Sequence, residues 1–127
     1  MLPGPEDDIA SLFEDYAAGF DDFDADEIAD AFAYPCIIWQ FGKGNVFADR
    51  DELMENIEAL LDVFEREEIA HSTFQILALS VSGPIAMASL SWRQEREDGD
   101  VALAFVCHYA LMKGEEGWGI IQVVNES

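Results

Sequence analysis

Basic side chains are scarce in this chain: 6 Lys and Arg stand against 27 Asp and Glu in 127 residues, for a formal net charge of −21 with neutral histidine. A surface that tracks phosphates needs clustered cations, so binding to nucleic acid or to anionic membrane lipid is not expected. Long apolar runs are lacking too. None reaches the ~18–20 residues of a membrane span, and Met1 to Asp15 has no basic start followed by an apolar stretch, so the expected compartment is the cytoplasm. Only two cysteines occur, Cys36 and Cys107. Neither lies in a CxxC pair, so there is no disulfide framework and buried free thiols are the default. Phosphate-binding glycine loops, HExxH and GxSxG are missing. The one alternating acidic stretch, Asp22-Phe23-Asp24-Ala25-Asp26, fails as a calcium loop because its sixth and twelfth positions hold Glu27 and Ala33. No metal and no cofactor are expected.

Apolar residues are plentiful, at 50% of the chain, enough for one domain over residues 1–127 with a real core. The charge is unevenly spread. Residues 1–68 carry 20 acidic and 3 basic side chains, residues 69–127 only 7 and 3. The acidic half reads as helical. Pro5 with Glu6, Asp7 and Asp8 opens a helix whose stripe is Ile9, Leu12, Phe13, Tyr16, Ala17 and Phe20. Asp24 and Glu27 form a capping box for a second helix, with Ile28, Ala31 and Phe32 as its apolar face, which Tyr34-Pro35 stops. Cys36 to Phe41 and Asn45 to Phe47 read as a hairpin about Gly42-Lys43-Gly44. Asp49 and Glu52 start a third helix with Leu53, Ile57, Leu60, Leu61 and Phe64 on its core side. The second half, uncharged over most of its length, then predicts long antiparallel strands near 69–81, 85–96, 101–113 and 118–125, separated by mostly charged turn sequences. Strands so poor in charge need cover on both faces, helices on one and a second subunit on the other. The fold class is α+β.

This element order, with Tyr16-Ala17-Ala18, Asp24-Ala25-Asp26-Glu27-Ile28, Phe32-Ala33 and Gly117-Trp118-Gly119-Ile120, resembles the nuclear transport factor 2-like superfamily, which includes SnoaL-like cyclases and ketosteroid isomerases. The resemblance implies a curved antiparallel sheet wrapped into a cone by three helices, a concave side that encloses an apolar cavity, and a convex side that forms a homodimer. It also implies where isomerase chemistry would sit. In ketosteroid isomerases a tyrosine and a neutral aspartic acid donate to an enolate oxygen while an aspartate base moves the proton. The tyrosine matches Tyr16, but the base falls on Gln40 and the second acid on Cys107, whose thiol is a weak donor. Steroid-type isomerisation is therefore disfavoured.

Alternation along 101–113 separates Val101, Leu103, Phe105, Cys107, Tyr109 and Leu111 from the smaller set Ala102, Ala104, Val106, His108, Ala110 and Met112. The larger set suits the concave side, and the alanine-rich one suits close approach of another sheet in a homodimer. The expected ligand-binding lining is Tyr16, Phe20, Trp39, Gln40, Phe64, Trp92, Phe105, Cys107, Tyr109 and Gln122, with Gln40 as a partner for the Tyr16 phenol. Candidate catalytic residues are Tyr16 as donor and His71 as base. Three functions stay open: a binding domain for a small hydrophobic or amphipathic ligand, a cofactor-free isomerase, cyclase or dehydratase acting on a small carbonyl compound, and a protein-interaction module.

Overall fold

Carboxylates begin two of the helices. Asp24 accepts the backbone N–H of Glu27 at 3.2 Å and Asp49 accepts that of Glu52 at 3.0 Å. These bonds satisfy donors that a first turn leaves open, each cap contributing about 1 kcal/mol. The computed structural model describes residues 4–126. Its elements run α1 (Pro5–Asp21), α2 (Ala25–Asp30), β1 (Phe32–Gln40), β2 (Lys43–Phe47), α3 (Arg50–Arg66), β3 (Ile69–Ser82), β4 (Ile85–Arg96), β5 (Val101–Gly114) and β6 (Gly117–Asn125). The stripe on α1 buries Ile9, Phe13, Ala17 and Phe20. Gly19 permits a close crossing with α2, since a Cβ there would come within 2.9 Å of the Ile28 side chain. On α3, Leu53, Ile57 and Phe64 are buried, whereas Leu60, expected in the core, is exposed.

The six strands form one open sheet in the order β2-β1-β6-β5-β4-β3. Four of its five pairings are antiparallel. The β1–β6 pairing is parallel, a departure from the expected all-antiparallel sheet that follows from the return of the last strand to the side of the first. β1 begins at Phe32 rather than Cys36, and α2 is correspondingly shorter than expected. Phe32 pairs with Ile120, and pairing resumes at Ile37 with Gln122. Pro35, which has no N–H to donate, falls in the skipped stretch, so the strand tolerates a residue that suggests a stop. The first hairpin turns at Phe41-Gly42, one step earlier than expected. Both residues have positive φ, 54° and 73°, as in the two-residue turns that match strand twist.

α1 packs on β3 and β6, and α3 on β2 and β3. The strand period of two then divides the sheet into an inner, helix-covered face and an outer one. Ala86, Ala88, Leu90, Trp92 and Gln94 of β4, with Cys107, Tyr109 and Leu111 of β5, are inner and buried. Among the described residues no helix is long and apolar enough to cross a membrane.

Candidate ligand site

Tyr16 projects from α1 into the inner face at the place where aromatic side chains are densest. Its ring meets Phe20 at 5.1 Å, Phe32 at 5.8 Å, Trp92 at 5.9 Å and Phe13 at 6.4 Å, each edge to face. Phe20 stacks on Phe64 at 5.2 Å, which ties α1 to α3. Beyond Phe13, Tyr109 of β5 lies 4.8 Å away, and its hydroxyl accepts the Trp92 indole N–H at 2.9 Å. Phe13, Phe20, Phe32, Phe64, Trp92 and Tyr109 are all buried, so packed rings line the face where the sequence places an apolar cavity. What stays accessible is apolar: Tyr16, Ile38, Leu61 and Phe105 pack on the buried core while remaining only half-buried.

Among the described residues the Tyr16 hydroxyl makes no hydrogen bond to protein. Tyr16 is only partly buried as a residue, and among the described residues the one fully buried side-chain polar atom without a partner is Trp118 Nε1, so the Tyr16 oxygen is not wholly closed off. A phenol left unpaired at such depth is costly unless something meets it. Burial, then the neighbouring Cys107 and Cys36, push the Tyr16 phenol far above its ordinary range. Burial does the same to Tyr109, and it pushes both thiols up to about 11. Cys107 donates to Asn125 Oδ1 at 3.3 Å, and both cysteines are free. The groups gathered here are therefore neutral at pH 7. They can donate hydrogen bonds and cannot accept a proton as a base would.

These raised values carry a pH dependence. Because the folded chain holds its thiol protons more tightly than the unfolded chain, that stabilisation is complete below pH 9 and disappears as pH climbs through 11. The urea midpoint is expected to hold steady from pH 7 to 8.5 and to fall between pH 9 and 11, less steeply in a Cys36→Ala, Cys107→Ala double variant. An identical fall in both proteins would show that the thiols contribute nothing to it.

Of the residues expected at the site, the structure brings together Tyr16, Phe20, Phe64, Trp92, Phe105, Cys107 and Tyr109. Three others need correction. Trp39 is on the outer face, over Gly44, and donates to Gln122 Oε1 at 3.2 Å; Gln122, paired with the outward Ala110, is outer as well. Alternation decides both, since Cys36 and Ile38 take the inner positions of β1. Gln40 sits exposed beside the hairpin turn and makes no bond to Tyr16. The candidate base also fails: His71 is 68% exposed and pairs with Asp21 at 3.2 Å. Asp21 also accepts the Ser72 backbone N–H at 2.6 Å, so this pair fastens the end of α1 to β3.

Sequence reasoning overlooked Phe13 and Phe32 as walls and Cys36 as a neighbour of Tyr16; the helical stripe held the signal for Phe13. Two clefts open elsewhere. One of about 460 Å³ lies beside Asp15, Glu27 and Trp118, and one of about 1080 Å³ lies along Pro35, Ile37, Arg50 and Met112. Among the described residues no group of three His, Cys, Asp or Glu side chains is placed to hold a metal ion.

An open six-stranded sheet with three helices on one face and a tyrosine set among aromatic side chains between them defines an α+β protein of the NTF2-like class. The chain belongs to the family described as NTF2-like protein (DUF6841), which residues 6–127 match. It is similar in structure to an NTF-2 like protein of unknown function from Shewanella oneidensis MR-1, at 20% identity and TM-score 0.78 over 96% of this chain and 98% of that one. A candidate dehydratase from the NTF2-like family of Streptomyces avermitilis is similar at 12% identity and TM-score 0.69, covering 96% of each chain. A candidate ketosteroid isomerase from Shewanella frigidimarina is similar at 15% identity and TM-score 0.66, over 91% of this chain and 92% of that one. At such identities the likeness shows the fold, and function is argued from the site. No curated protein matches the chain.

Proposed function

We propose that the chain is a homodimeric binding domain for a small apolar compound bearing one neutral hydrogen-bond acceptor, a carbonyl or hydroxyl oxygen, which the Tyr16 hydroxyl meets. The observation that carries this reading is the unpaired, accessible Tyr16 oxygen amid aromatic side chains and un-ionised thiols. A charged ligand would find no counter-ion among these groups, whereas a neutral ketone or phenol would gain both apolar burial and a donor. The names of similar structures favour an isomerase or dehydratase instead. That reading needs a base beside Tyr16, and Gln40, Cys107 and the outward-facing His71 do not supply one.

The outer face supports the dimer. Trp39, Met87, Val106, Ala110, Met112 and Val124 stand there, several of them more than 40% exposed. In a chain of net charge −21, this stretch is poor in carboxylates, and the two that border it are each held by a neighbour, Glu95 by Arg93 and Glu126 by His108; exposed apolar patches of this kind mark interaction surfaces.

The binding test uses a panel of one- to three-ring ketones and phenols, followed by tryptophan fluorescence, for which Trp92 lies 5.9 Å from Tyr16. At least one compound is expected to bind, and Tyr16→Phe is expected to weaken it by about 0.5–1.5 kcal/mol, the net worth of a neutral hydrogen bond. A panel without a single binder, or unchanged affinity in the variant, overturns the proposal.

A further inference from the structure

The outer face holds one polar chain that the ligand site does not use. His108 Nε2 lies 2.8 Å from Glu126 Oε2, and His108 Nδ1 lies 2.7 Å from Ser89 Oγ. Ser89 and His108 are register partners on β4 and β5, so both side chains stand on the same surface. With Glu126 ionised, Nε2 carries a hydrogen and Nδ1 accepts one from the Ser89 hydroxyl. When the ring gains a second proton, Nδ1 donates instead and the hydroxyl turns to accept. The chain therefore accommodates imidazole and imidazolium with the same heavy-atom positions.

We propose that dimerisation through this face takes up protons at His108, so that the dimer tightens as pH falls from 8 to 6. The inference rests on the outer-face dimer proposed above. In the free protomer the two side chains are 42% and 59% exposed, and water solvates the carboxylate. A second copy removes that water. Glu126 beside a neutral ring would then be an uncompensated buried charge, whereas Glu126 beside imidazolium is a neutral pair. The approach of two bodies each at −21 draws protons in the same direction.

The other groups facing His108 do not oppose this. Its neighbours on β5 are Val106 and Ala110. β6 presents Val124 as its register partner and then Gln122, which is engaged with Trp39. On β4 the charge beyond Ser89 is Arg93, already paired with Glu95 at 3.1 Å. The helices lie on the opposite face. Histidine is also the side chain whose charge ordinarily changes between pH 5 and 8.

Sedimentation equilibrium at pH 8, 7 and 6 and constant ionic strength tests the inference. One proton per protomer sets a ceiling of about 100-fold in the dimer constant per pH unit, and a partial uptake worth about tenfold from pH 8 to 6 is expected. His108→Gln keeps an amide donor toward Glu126 and removes the titration; Glu126→Gln removes the charge that demands the proton. Both variants, checked for native circular dichroism, are expected to dimerise with a much flatter pH profile. Glu126→Gln, at an exposed position just past β6, serves if His108→Gln does not fold. A dimer whose constant ignores pH, or whose slope is the same in wild type and both variants, overturns this inference and leaves the dimer standing. A wild-type chain that stays monomeric at every pH overturns the dimer as well.

Discussion

Phe13→Ala is expected to cost about 3–5 kcal/mol of folding stability, as large aromatic truncations in packed interiors do. Phe13 is fully buried, and its ring lies 4.8 Å from Tyr109, 6.3 Å from Phe74 and 6.4 Å from Tyr16. It is thus the point where α1 meets β3 and β5. Tyr16 and Phe74 are each packed on further rings and Tyr109 is bonded to the Trp92 indole, so none can move far into the vacated space, and the cavity term adds to the lost transfer free energy. Against a total stability of about 5–15 kcal/mol, the variant should unfold at a much lower urea concentration. A cost below about 1 kcal/mol would mean that the interior is loosely filled around Phe13 and that its neighbours collapse into the space it leaves.

Ala110→Asp should convert the proposed dimer to monomers. Ala110 faces outward from the middle of the sheet, between Met87 on β4 and Gln122 on β6, and makes no demand on the core. A carboxylate there would be buried by the second copy with no cation assigned to it, at several kcal/mol per copy. Two copies per dimer give a weakening of at least about a thousandfold. Sedimentation velocity on the variant, with circular dichroism to confirm the fold, reads the result directly. An intact dimer would place the contact on another surface and remove the basis for a role of His108 at the interface.

Much of the architecture was legible along the chain because the signals are local. Asp24 and Asp49 announce helix starts, since a side-chain carboxylate can reach a backbone N–H three residues on. The uncharged run from Ile69 announces long strands, and alternation on β5 separates Cys107 and Tyr109 from His108 and Ala110 correctly. On β4 alternation alone did not choose a face, and the structure buries Trp92 on the inner one, where it was expected. Errors came where a distant partner decides. Nothing near Phe32 says that Ile120 will pair with it, so the helix before it was read too long and the strand too short. Trp39 and Gln122 were assigned to the interior because both can serve a ligand. In the fold they bond to each other on the outside, an arrangement set by the parallel register of β1 and β6.

The amino-acid sequence by itself determined most of the elements, their order, the α+β class and the tyrosine on the apolar stripe of the first helix. Those are properties of residue type and short-range spacing. Only the tertiary structure decided that Phe13, Phe20, Phe32 and Trp92 surround Tyr16, that His71 serves Asp21 on the surface, and that His108 joins Ser89 and Glu126. Each of these depends on which strands lie side by side and in what register. Register is a property of the whole sheet, since a shift of one residue would exchange every inward side chain for an outward one.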